Sequence, residues 1–191
     1  TADGETVATC HKMPASMCNR RMLSANEIAD EWIPLIDDIR KFNPHIDITF
    51  TVSPVRHLAD GAHGNQLSKS TLLLAADSIM AQRPGMCHYF PSYEIMLDQL
   101  RDYRFFAADM VHPSDVAVAY VAERFKASCL SDRARQACTR CEKVYARLLH
   151  RPLTDDSEAA EAFRAATRRA ADTLSADMPY VKTIIDKLLK Q

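Results

Sequence analysis

The sequence has no surplus of charge of either sign: 24 Lys and Arg stand against 25 Asp and Glu, for a formal net charge of −1. Without a basic excess it carries no electrostatic footprint for nucleic acid. It also lacks a long apolar run. Stretches such as Thr71 to Met80 fall far short of the roughly 20 residues that cross a bilayer. No signal-peptide pattern opens the chain, so a cytoplasmic location is expected. There is no internal repeat and no low-complexity tract, despite the alanine-rich run from Ala159 to Ala171. The first residue is Thr1 rather than Met, and the sequence enters at once what reads as a strand edge. The expectation is a fragment whose upstream part is missing.

What is present fits a globular domain: 191 residues, 47% of them hydrophobic, enough for a real core. The six cysteines (Cys10, Cys18, Cys87, Cys129, Cys138, Cys141) are scattered in a chain too large to need disulfide staples, so reduced thiols are expected.

Periodicity predicts alternating elements. Glu5 to Thr9 reads as a short strand. Ser24-Ala25-Asn26-Glu27 is a capping box opening an amphipathic helix to about Phe42, with Trp32, Leu35, Ile36 and Ile39 as its buried stripe. Ile46 to Ser53, rich in β-branched and aromatic residues and stopped by Pro54, reads as a buried strand. Ser68 to about Gln82 has Leu72, Leu73, Ala76 and Ile79 at helical spacing, and Arg83-Pro84-Gly85 breaks it before a strand at Cys87 to Phe90. Tyr93 to Leu100 reads as helix, and Ser114 as the N-cap of a helix to about Phe125. Such alternation favours an α/β layer with a parallel sheet. Ser131 to His150, Asp155 to Leu174 and Asp177 to Lys190 are helical patterns with no strand between them. The expected division is an α/β domain over 1–127 and a helical extension over 128–191.

In parallel sheets the chemistry gathers at the carboxyl ends of the strands. Loops carrying Cys10-His11-Lys12, Ser53 to His57 and Phe90 to Glu94 would share that rim. The segment Phe105 to Ser114 would join them if it packs back over it. That segment holds Asp109 and His112 in a D-x-x-H spacing just before a helix start. A carboxylate on the far nitrogen of an imidazole fixes its tautomer and stabilises its cationic form, which is what a general base near pH 7 requires.

The segments TVSPVRHLADGAHGNQLSKSTL and YFPSYEIMLDQLRDYRFFAADMVHPSDVAVAYV resemble the GSCFA family, a bacterial group named for a Gly-Ser-Cys-Phe-Ala motif and placed with the SGNH (GDSL-like) hydrolases. The resemblance runs from about Val7 to Phe125. It implies a flavodoxin-like three-layer α/β/α fold with the first strand missing and a serine nucleophile in the name-giving motif. The D-x-x-H would close the triad, with Asp109 as the orienting acid and His112 as the base. The substrate class implied is an acyl ester of a small or carbohydrate-like molecule, with no cofactor and no metal. Two departures stand out. Gly-Ser-Cys-Phe-Ala occurs nowhere in this sequence, and Thr9 occupies the place where the family tends to carry an Asn before Cys-His-Lys. That Asn is the counterpart of an oxyanion donor in related hydrolases; a Thr hydroxyl donates one proton but lacks the amide's reach.

Other residues admit two readings each. Ser53 is a substitute nucleophile or a turn residue satisfying its own backbone. Arg56 and His57 face the rim, where Arg suits an anionic group, or belong to a loop with Arg56 holding Asp60 or Glu94. Asn65, Ser68 and Lys69 shape the site, or Ser68 caps a helix. His11 belongs to the rim; Cys10 cannot pair with its neighbour on a strand but could reach His112. Cys138 and Cys141 would need two more ligands for zinc, from Cys129 or His150, and read better as buried thiols. Tyr89, Phe90, Tyr93, Tyr103, Phe105 and Phe106 line a groove or fix Asp109 by packing, the latter being preferred. Three classes therefore remain: a serine hydrolase or acyltransferase, a noncatalytic binding module that keeps the rim, and a metal or redox protein. A chain without its first strand would also expose apolar surface and self-associate.

Overall fold

The computed structural model of the chain describes residues 20–150 and 158–189. The strand expected at Glu5 to Thr9 lies outside the described residues, together with Thr9, Cys10 and His11. The chain divides after Ala122 into two compact units.

In the first unit Ser24 caps helix α1 (Ala25–Phe42) as the sequence predicts. The Glu27 amide donates to Ser24 Oγ at 3.2 Å and the Ser24 amide donates to Glu27 Oε2 at 2.8 Å, so two of the donors that a helix start leaves without partners are satisfied. Strands β1 (Ile48–Phe50) and β2 (Cys87–Tyr89) pair in parallel, with Ile48 beside Cys87 and Phe50 beside Tyr89. Helix α2 (Gly61–Gln82) forms the crossover between them. Because side chains alternate along a strand, Ile48 and Phe50 turn together towards the helices. They pack with Ala29, Ile33 and Ile36 of α1, Ile79 and Met80 of α2, and Met86 and Cys87. Thr49 and His88 point the other way and are exposed. The described residues are thus mostly helical, and in the first unit α1 and α2 pack on a small two-stranded parallel sheet, an arrangement of the α/β kind. At the far end of α2, Arg83 grips Asp37 of α1 with two hydrogen bonds of 2.7 and 2.5 Å.

Several expectations need correction. The stripe that α1 buries is Ala29, Ile33 and Ile36, whereas Trp32 and Leu35 remain 39% and 48% exposed. The flank carrying Trp32 meets the Phe50 ring edge-on, at a ring separation of 5.3 Å, and stays partly exposed. Helix α2 begins at Gly61, so Ser68 lies inside it and caps nothing. A 3₁₀ turn at Leu58–Asp60 and the left-handed Gly61 (φ 67°) feed the chain in earlier than the apolar spacing suggests. The strand expected over Ile46 to Ser53 ladders only at Ile48–Phe50, where β2 provides partners. Beyond it the chain is held by side chains: buried Ser92 donates to the Val52 carbonyl at 2.9 Å and shares a 2.8 Å hydrogen bond with Thr51.

After β2, a short helix α3 (Ser92–Glu94) widens into a π-helical turn at Ile95–Leu100. Met96 and Leu100 of that turn pack with Ala117, Phe105, Phe106 and Tyr120. Helix α4 (Asp115–Cys129) follows, with the Ala117 amide donating to Ser114 Oγ at 3.4 Å. In the second unit α5 (Asp132–Leu149), α6 (Glu158–Asp177) and α7 (Lys182–Leu188) enclose Val144, Ala171, Leu174, Met178 and Ile185. Cys141 packs against that cluster, in line with a structural thiol.

Candidate functional site

The segment from Phe105 to Ser114 folds back on itself. Phe106 and Pro113 form an antiparallel bridge. The Ala107 amide donates to the His112 carbonyl at 2.8 Å, and the Ser114 amide to the Phe105 carbonyl at 2.8 Å. At the tip the Met110 amide donates to the Ala107 carbonyl at 2.9 Å, and Met110 adopts a left-handed conformation with φ 59°. This reversal brings two successive amides onto one carboxylate oxygen. Asp109 Oδ1 accepts from the Val111 and His112 amides at 2.9 and 3.0 Å.

The second oxygen, Asp109 Oδ2, lies 2.7 Å from His112 Nδ1. The hydrogen bonds from the His112 amide and ring and from the Val111 amide hold the Asp109 carboxyl down at about 2. At neutral pH Asp109 is therefore an anion that can only accept, which places the neutral imidazole's proton on Nδ1 and leaves Nε2 with a free lone pair. The pair stays open, with His112 and Asp109 side chains 62% and 50% exposed. The groove of about 430 Å³ lined by Arg20, Met22, Ile28, Asp60, Ser68 and Leu72 includes neither residue.

The loop after β1 meets this turn at Arg56. The Arg56 amide donates to the Val111 carbonyl at 3.3 Å and its Nη1 to the Met110 carbonyl at 3.2 Å. Its guanidinium carbon lies 4.0 Å from the Phe106 ring centre and 5.7 Å from that of Tyr103. Arg56 holds neither Asp60 nor Glu94: Asp60 pairs with Arg20, and Glu94 accepts from the Tyr89 hydroxyl.

The other sequence-predicted residues are placed differently. Ser53 Oγ accepts from the Val55 amide at 3.2 Å, the self-satisfying turn role. Asn65 Oδ1 accepts from the His57 amide at 2.9 Å, and the His57 ring lies 3.8 Å from Asp60. Ser53, His57 and Asn65 therefore shape the loop after β1, and none of them hydrogen-bonds to Asp109 or His112. Lys69, one turn beyond Asn65 on α2, is only 4% exposed, and burial pushes its ammonium below the ordinary lysine range. Among the aromatics, Phe90 and Tyr93 are buried, with the Tyr93 hydroxyl donating to Gln66 at 2.8 Å. Phe105 and Phe106 back the turn itself, which supports packing as their role. Sequence reasoning overlooked Ser92, whose buried hydroxyl ties β2 to the extension of β1. A serine just after Pro91, at a helix start, reads first as a cap.

No curated protein and no solved structure matches the chain. The family model of the GSCFA family matches residues 1–125, the span that contains both strands, the loop of Arg56 and the Asp109–His112 turn, and the chain belongs to the GSCFA family.

Proposed function

We propose that this chain carries the acid–base half of a serine-dependent acyl-ester hydrolase or acyltransferase, built on a flavodoxin-like three-layer fold of the SGNH type. The observation that carries the reading is the 2.7 Å contact of His112 Nδ1 with an Asp109 carboxylate whose other oxygen is fixed by two backbone amides. That leaves Nε2 as the proton acceptor. In the reaction, a serine Oγ attacks the ester carbonyl carbon while its proton passes to Nε2. The resulting imidazolium, stabilised by Asp109, returns that proton to the departing alkoxide. Water or an acceptor hydroxyl then attacks the acyl-serine by the same route, giving an acid or a new ester. The serine is that of the family's Gly-Ser-Cys-Phe-Ala motif, which this sequence does not contain. Thr9, outside the described residues, is the proposed oxyanion donor. The substrate class is an acyl ester of a small or carbohydrate-like alcohol.

A second reading, a noncatalytic binding module that keeps the rim, is favoured by Thr9 in place of Asn. Turnover of p-nitrophenyl acetate separates the two. It should be measured for this chain and for a version extended to include the Gly-Ser-Cys-Phe-Ala motif, each with and without His112→Ala. Hydrolysis is expected only in the extended chain with His112 intact. Equal rates in all four would reject the triad.

A further inference from the structure

We infer that Arg56 is the positioning residue of His112: by clamping the left-handed turn at Met110, it fixes the imidazole's tautomer and aim. The inference rests on the reading of His112 as a base. Asp109 Oδ1 receives two successive amides where Met110 reverses the backbone at φ 59°, a conformation that a side chain with a Cβ disfavours and that the structure around it has to hold.

Arg56 contacts both arms of the turn. Its amide and Nη1 bond the carbonyls of Val111 on the descending arm and Met110 at the tip, at 3.3 and 3.2 Å. Its guanidinium lies 4.0 Å from the ring centre of Phe106, on the ascending arm opposite Pro113. Without the side-chain clamp Met110 can relax to extended backbone. The Val111 and His112 amides then diverge, and Asp109 Oδ2 loses its fixed line to Nδ1. The imidazole would populate both neutral tautomers, and one of them puts a proton on the nitrogen that must accept one.

The competing role is binding an anionic substrate group, since among the described residues Arg56 has no carboxylate partner. The two roles separate in kinetics. A substrate-binding Arg acts on KM, whereas a positioning residue acts on kcat with KM held.

The experiment uses Arg56→Ala and Arg56→Lys in both this chain and the extended chain. The imidazole ¹⁵N signals of His112 are recorded at a pH where the ring is neutral, with p-nitrophenyl acetate kinetics in parallel. The wild type should show the Nδ1–H form. Arg56→Ala should show a mixture of tautomers and a kcat lower by roughly 10–100-fold, with KM within about 2-fold. Arg56→Lys should recover part of both, since a lysine keeps a donor for the Met110 carbonyl but not the flat fork over Phe106. If Arg56→Ala fails to fold, Phe106→Leu removes the ring beneath the guanidinium and is read in the same way. Unchanged tautomers in the substituted protein, or a rise in KM with kcat intact, would overturn the inference. A tautomer shift with no turnover by any chain would uphold Arg56 while ending the hydrolase reading, so the two failures are distinguishable.

Discussion

At the scale of single residues, Asp109 decides whether the turn is a site or only a loop. One oxygen accepts from two amides and the other faces the ring, so ionisation strengthens the turn that places the ring. The carboxyl is held at about 2 in the folded protein, below the roughly 3.9 of an unconstrained aspartate. The sign follows: the turn's stabilisation by the anion is complete above the unfolded value and fades as pH falls from about 4 towards 2. The amide resonances of Val111 and His112 should therefore titrate together with a midpoint near pH 2. A midpoint near 4 would show that the carboxylate is not held as described. This pairing was legible in the sequence because its partners lie within four residues, where spacing alone fixes what can meet. Arg56 was not. It reaches Met110 across 54 positions of chain, and nothing local distinguishes an arginine that binds a carbonyl from one that waits for an anion. Ser53 shows the opposite case, a residue whose position before Pro54 already pointed to the turn role it takes.

Elements were legible where their ends carry chemistry. Ser24 with Glu27, Ser114 and Ser131 each accept an amide at a helix start, and α1, α4 and α5 begin there. Replacing Ser24 by Ala should cost about 1 kcal/mol in urea unfolding at pH 7, since it leaves the Glu27 amide without its acceptor. A loss below roughly 0.3 kcal/mol would mean that the helix start is held by packing rather than by the box. Where an end carries no such signal, its place in the sequence is not marked. Helix α2 starts through a 3₁₀ turn and Gly61, seven residues ahead of the apolar spacing that announced it. The strand that reads as eight residues long forms three ladder pairs, because strand length is set by the partner and not by the β-branched run alone. The buried face of α1 likewise depends on what reaches it: Ile33 packs against the core cluster, whereas Trp32 touches Phe50 and stays 39% exposed.

At the scale of the whole molecule, the alternation of helix and strand announced a parallel sheet, and the two strands are parallel. What alternation does not reveal is how many strands and layers surround them. Among the described residues each strand has one partner and one open edge, and helices cover a single face. A two-stranded sheet of three residues each is marginal unless further surface is buried. The apolar side chains left outside mark where that surface lies. Trp32, Leu35 and Phe42 on α1 are joined by Leu72 and Leu74 on α2 among the exposed residues, with Phe42 at 95% exposure. Scattered singly they would mean little, but Trp32, Leu35 and Phe42 fall on one flank of α1 at helical spacing and so gather rather than scatter. The net charge of −1 supplies little repulsion to keep copies apart. The chain should therefore self-associate at micromolar concentration, seen as a rise in light-scattering mass with concentration. Leu35→Lys combined with Phe42→Lys should shift it towards the monomer without altering the helical signal in circular dichroism, because neither side chain belongs to the core. A wild-type chain that stays monodisperse at the monomer mass across that range would show that α1's outer flank is already satisfied within one copy.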